Sequence, residues 1–197
     1  MRIAGHLRSD FTGGLIHLTR QRIGKRRHWE PLTADNAYEK TIIAPLYVLK
    51  EILEDGVLRG SNNSGFIKGT RPAVCLTETP LSSVRFLQST RYSYYGLAIS
   101  KRAAFTVGAR PVIYLPDHEA GWIPEDQKWR HVRFESGVVD FTHEREWRIP
   151  GDLYLNTLPG FYVLIWNPGE IDTLHDAGQQ YSNLRGYLPM NHLIEML

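Results

Sequence analysis

Cysteine is nearly missing from this chain. Cys75 is the only one in 197 residues, so an intrachain disulfide and a zinc site made of several thiolates are both excluded. Its setting, AVCLTE, is apolar and reads as that of a small core residue. Long apolar runs are missing too. No segment approaches the roughly 20 residues of a membrane-spanning helix. The stretch MRIAGHLRSDFTGG lacks the apolar region of a signal peptide, so a cytoplasmic protein is expected. Charge of one sign is also scarce. A net charge of +2 is too mild to argue for nucleic acid by itself. The chain holds no Gly-x-Ser-x-Gly elbow, no Walker phosphate loop and no Rossmann glycine fingerprint. His143 and His175 each lack a second histidine at a ligand-like spacing, and no metal is expected.

What is present suits a folded domain. At 42% hydrophobic and 22% charged the chain can bury a core, and its length fits a single domain over 1–197. GLIHLTR alternates, with Leu15, His17 and Thr19 on one face and Ile16 and Leu18 on the other, and predicts a strand after the Gly13-Gly14 turn. APLYVLKEILEDGVL carries Leu46, Leu49, Ile52 and Leu53 at helical spacing. Pro45 suits its start and Gly56 its end. RGSNNSGFIKGTRP reads as a loop. AVCLTE, YGLAIS, RPVIYLP and EREWRI read as strands, and FYVLIWNP as a buried one. PLSSVRFLQS and LPMNHLIEML have helical spacing, and PEDQKWRHVRFE is ambiguous. The sum is an α+β fold with one clear early helix followed by strands.

The stretch DFTHEREWRIPGDL concentrates charge around one tryptophan. Read as a strand, it places Glu144, Glu146 and Arg148 on one face and Arg145, Trp147 and Ile149 on the other. The two carboxylates then lie about 6–7 Å apart along that face. Earlier in the chain, Arg20, Arg22, Lys25, Arg26 and Arg27 crowd into RQRIGKRRHW. That run is either a solvated loop or a contact for nucleic-acid phosphates.

The order of three pieces, IHLT, EILEDGVL and EREWRI, resembles the ADP-ribosyltransferase fold and the DarT-like toxins in particular. Those begin with a His-x-Thr strand, continue with a helix ending in a similar phrase, and place a catalytic glutamate at the head of a late strand. IHLT, CLTETPLSSV, YYGLAIS, PVIYL and EREWR together also resemble the abortive-infection AbiGi family, which is associated with phage defence and includes members labelled antitoxins. The first resemblance implies a split β-sheet core and NAD as substrate. It gives Glu146 the catalytic role and makes Glu144 its helper on the accepting nucleophile. It sets His17, supported by Thr19, against the ribose or the amide, and Tyr94 or Tyr95 against the nicotinamide ring. The pyrophosphate falls to an arginine such as Arg148, Arg71 or Arg59. The second resemblance implies a toxin–antitoxin or phage-defence setting with a cognate protein partner.

Each residue also has a plainer reading. Glu144, Glu146 and Arg148 could be an exposed, ion-paired strand face, His17 and Thr19 ordinary strand residues, and RYSYYG an aromatic core cluster. A non-catalytic antitoxin or sensor keeps the fold without chemistry. A metal-dependent nuclease could draw on Asp140, Glu144 and Glu146, although the lysine such sites use is not there.

Overall fold

The computed structural model describes residues 13–24, 41–61, 66–80 and 93–195. A seven-stranded sheet organises them. In chain order its strands are β1 (Gly14–Leu18), β2 (Ala73–Thr77), β3 (Gly96–Ser100), β4 (Arg110–Pro111), β5 (Glu146–Pro150), β6 (Phe161–Ile165) and β7 (Leu184–Pro189). Across the sheet they lie in the order β7-β6-β3-β1-β2-β5-β4. Only β6 and β7 pair in parallel, and every other neighbour is antiparallel. Among the described residues four α-helices accompany the sheet: α1 (Pro45–Asp55), α2 (Lys101–Thr106), α3 (Ile171–Gln179) and α4 (Met190–Glu195). The result is the expected α+β class, a mainly antiparallel sheet with few helices. No helix among the described residues is long and apolar enough to cross a membrane.

Alternation along the strands sorts the two faces. On one, Leu15, Leu76, Leu97, Ile149 and Val163 pack with Leu49 and Leu53 of α1 and Leu174 of α3. Each fully buried aliphatic side chain there contributes about 1.5–3 kcal/mol. The opposite face carries two smaller apolar clusters. Ile16, Leu18, Leu164 and Met190 form one, and Ile67, Ala73 and Trp129 the other. Between those clusters lie the polar side chains of β5. Helix α1 runs as its sequence implies: Pro45 occupies its first turn and Gly56 ends it at φ 69°, a left-handed conformation that glycine adopts without strain.

Three sequence expectations need correcting. RPVIYLP is not one strand. Pro111 has no N–H to continue the ladder, and after Val112 the chain leaves the sheet, so Ile113–Leu115 pairs in parallel with His131–Arg133 instead. In LPMNHLIEML the helix begins only at Met190, because Leu188 and Pro189 still belong to β7. EREWRI is a strand only from Glu146 onward. Thr142–Glu144 form a 3₁₀ turn, and Arg145 takes φ 45° and ψ 50°. Glu144 and Arg145 therefore do not share strand faces with Glu146 and Trp147. The cause is local. The Asp140 carboxylate accepts from the Thr142 N–H at 2.8 Å and from the Thr142 hydroxyl at 2.6 Å, which closes a turn just before the strand. The helix expected in PLSSVRFLQS lies outside the described residues.

Candidate functional site

The sheet is least continuous between β1 and β2. They pair at one register position only, Ile16 opposite Thr77. Just beyond that position the His17 imidazole takes the place of a ladder bond: its Nδ1 lies 2.9 Å from the Cys75 carbonyl oxygen. A carbonyl only accepts, so Nδ1 carries the proton and Nε2 is the acceptor nitrogen of the neutral ring. Burial pushes the His17 pKa below its usual value, and the charge of Arg20 acts in the same direction. The bond to Cys75 opposes both. The imidazole is therefore neutral at physiological pH. The backbone beneath it is fixed by Gly96, where any Cβ would collide with the His17 carbonyl oxygen.

The parting of the strands opens a small cleft of about 70 Å³. Ile16, His17 and Leu18 line it from β1, and Cys75, Leu76 and Thr77 from β2. Glu144 and Glu146 close it. Glu146 stands at the head of β5 with its Cα opposite Thr77. Its backbone N–H donates to the Tyr114 hydroxyl at 3.1 Å. The Glu144 backbone is tied to the same place, since its carbonyl accepts from the Thr77 hydroxyl. Two residues from distant parts of the chain, His17 and Glu146, thus meet at one opening.

Glu146 and Arg148 are not an exposed ion pair. Glu146 is 9% exposed and Arg148 1%. The guanidinium grips the carboxylate with two bonds, Nε to Oε1 at 2.7 Å and Nη2 to Oε2 at 3.2 Å. Nη1 donates to the carbonyls of Trp129 at 2.7 Å and His131 at 3.1 Å. Arg148 is thus committed within the protein, and the pyrophosphate role set for it has no exposed guanidinium behind it. Beside the pair, burial pushes the Cys75 thiol up to about 12, with the Glu146 charge adding to the shift. Cys75 stays protonated near neutral pH and makes a poor nucleophile.

The remaining expected residues separate. Thr19 is 3% exposed. Its hydroxyl lies 3.1 Å from the carbonyls of Pro45 and of Tyr95, tying the end of β1 to the start of α1 and to the lead-in of β3. Its bonds are structural, and Thr19 does not line the cleft. Tyr95 turns to the helix-covered face, where its hydroxyl donates to Glu170 at 2.7 Å. Burial and that carboxylate both raise its pKa. Tyr94 turns the other way. It rests on the cluster of Ile16 and Leu18 and stacks on Trp166, with ring centroids 4.4 Å apart. Of the two tyrosines only Tyr94 shares the face of Glu146. Arg71 is exposed, just ahead of β2 at the end away from Thr77. Arg59 pairs with Asp152 at 3.8 Å. Arg22 is held by the Glu51 carboxylate of α1, and Arg20 is exposed beyond β1. Lys25, Arg26 and Arg27 lie outside the described residues.

Asp140, needed for the nuclease alternative, spends its carboxylate on Thr142, whose hydroxyl and N–H hold its pKa down. Among the described residues no group of three His, Cys, Asp or Glu side chains could hold a metal ion. Sequence reasoning missed Thr77 and Cys75 as cleft residues. Strand alternation gave no hint of them, because the cleft arises from the parting of two strands rather than from one face. Comparison of the chain with protein-family models, curated proteins and solved structures finds no match.

Proposed function

We propose that the chain is an ADP-ribosyltransferase-like enzyme that cleaves NAD and transfers ADP-ribose to a macromolecule, in a toxin-type or phage-defence setting. The observation that carries this reading is the meeting of His17 and Glu146 at the parting of β1 and β2, with Glu146 at the head of its strand. A split sheet with a histidine on its first strand and a glutamate opening a late one is what the resemblance to DarT-like toxins implies.

The chemistry fits the groups. As the bond between ribose C1′ and nicotinamide breaks, the electron pair leaves with the ring nitrogen and positive charge develops on the ribose. A fixed carboxylate at Glu146 stabilises that charge. A carboxylate offers about four lone-pair sites, so Arg148 leaves Glu146 able to accept from a ribose hydroxyl. His17, neutral and with Nε2 as acceptor, takes a hydrogen bond from a ribose hydroxyl or the carboxamide N–H₂. Glu144, at the cleft rim, accepts the proton of the attacking nucleophile as the new C1′ bond forms. Neither tyrosine lines the cleft; Tyr94, already stacked on Trp166, is the one on the Glu146 face and is the one assigned to the nicotinamide ring. The target is nucleic acid, reached through Arg20, Lys25, Arg26 and Arg27 of the basic run, since Arg22 is held by Glu51.

The test is incubation with labelled NAD and either nucleic acid or protein from cells. Nicotinamide release with label on nucleic acid supports the reading. A folded sample that releases no nicotinamide and transfers no label contradicts it. The second reading is a non-catalytic antitoxin or sensor, and one observation favours it: both oxygens of Glu146 are already engaged by Arg148. That reading expects a stable protein complex that Glu146→Gln leaves intact.

A further inference from the structure

We propose that Arg148 is the positioning residue of this cleft: it fixes the Glu146 carboxylate relative to His17 by tying it to the backbone of the segment that leaves the sheet after β4. The inference rests on the reading of Glu146 as the glutamate that acts on NAD. Arg148 is 1% exposed and sits two residues from Glu146 on β5. Adjacent outward positions on a strand share a face, so the guanidinium reaches the carboxylate from the side and holds both oxygens.

Its other side is not left to solvent. Nη1 donates to the carbonyls of Trp129 and His131, at the end of one 3₁₀ turn and the start of the strand His131–Arg133. That strand pairs with Ile113–Leu115, and the same pair of strands presents Tyr114, whose hydroxyl accepts the Glu146 N–H. Glu146 is thus referenced to one segment twice, through its carboxylate by Arg148 and through its backbone by Tyr114. Trp129 is 2% exposed and packs with Ile67 and Ala73, so the carbonyl that Arg148 grips belongs to a packed anchor. Positioning to within a fraction of an ångström is what a group that acts on a developing charge requires. Lysine cannot supply it. It is a point charge without the planar fork that spans two oxygens.

The experiment measures nicotinamide release from NAD by the full chain, by Glu146→Gln and by Arg148→Lys, per folded molecule. In Arg148→Lys, kcat should fall by about 10- to 100-fold, the scale of a misplaced catalytic group, while KM for NAD stays unchanged. A merely structural role lowers the folded fraction and leaves kcat per folded molecule alone. Where the wild type is active, Glu146→Gln is inactive and Arg148→Lys keeps its kcat, the positioning role is overturned and the reading of Glu146 stands. Where the wild type releases no nicotinamide, or Glu146→Gln is fully active, both fall. A second measurement needs no variant that might misfold. In the wild-type chain the Arg148 Nε–H resonance should exchange slowly with solvent and shift on saturation with NAD. A fast-exchanging signal, or one that NAD does not move, overturns the proposal.

Discussion

Replacing Arg148 by methionine is the most demanding perturbation of this structure. It removes the cation from a carboxylate that is 9% exposed and strips the Trp129 and His131 carbonyls of their common donor. Removing one partner of a buried ion pair costs about 3–5 kcal/mol, because the remaining charge is buried without compensation. In a chain of this size each kcal/mol lowers Tm by about 2–4 °C, which puts the expected drop near 10 °C. Glu146→Leu/Arg148→Met should behave differently. With both charges gone no ion is stranded, and replacing a whole buried pair by apolar residues is about neutral. The two carbonyls still lack their donor, at about 1–3 kcal/mol. That loss is common to Arg148→Met, so the double variant should be more stable than Arg148→Met alone by about 3–5 kcal/mol, the cost of the stranded charge. Urea denaturation of wild type, both single variants and the double variant closes the cycle. Additive losses, or an Arg148→Met variant within about 1 kcal/mol of wild type, would refute the reasoning, since such small effects belong to solvent-exposed pairs.

Three further outcomes are expected. His17 has its pKa lowered in the folded state, so below the unfolded value of about 6.5 the unfolded chain binds more protons. The stability this residue contributes is complete above that pH and falls away as pH drops through and below it. Unfolding free energies of wild type and His17→Asn between pH 7 and 5 should converge on the acid side, and parallel curves contradict the assignment. Cys75, with its thiol pushed up to about 12, should resist iodoacetamide at pH 8 in the native protein and react once unfolded, as mass spectrometry would read; rapid native labelling contradicts the raised thiol pKa. Thr19→Val keeps shape but deletes the hydroxyl that meets the Pro45 and Tyr95 carbonyls. It should cost about 1 kcal/mol in denaturation and leave NAD turnover per folded molecule unchanged, whereas a selective loss of turnover would return Thr19 to the site.

The sequence made the apolar scaffold legible, because periodicity records burial. Leu15, Leu49 and Leu53 sit where spacing put them, the runs AVCLTE, YGLAIS and FYVLIWNP hold strands that bury Leu76, Leu97 and Val163, and Pro45 and Gly56 bound α1 as their backbone preferences require. Alternation failed at Glu144. It presumes extended backbone, and Asp140 had already turned the chain through its bonds to Thr142. The cue was present in Asp-x-Thr, but the larger pattern of charges masked it. The pairing of Glu146 with Arg148 was foreseeable from their spacing, but its burial was not. What buries it is Trp129 and the strands around it, roughly 20 residues away in the chain, and no local pattern announces that return. Helix α3 escaped notice for a different reason. Its sequence, IDTLHDAGQ, is a weak helix former, and its start is secured by Asn167 and Glu170, whose side chains cap each other's backbone just ahead of it. The partition of Tyr94 and Tyr95 onto opposite faces follows from strand geometry once the register of β3 is fixed.

The most direct test of the account is the rate of nicotinamide release from NAD by the wild-type chain and by Glu146→Gln, with NAD binding measured on both. The substitution preserves size but keeps only one acceptor for the two Arg148 donors, so the rates are taken per folded molecule. The wild type should release nicotinamide, and Glu146→Gln should lose that release while NAD still binds. Equal rates in the two proteins, or no release by a folded wild type, would contradict it.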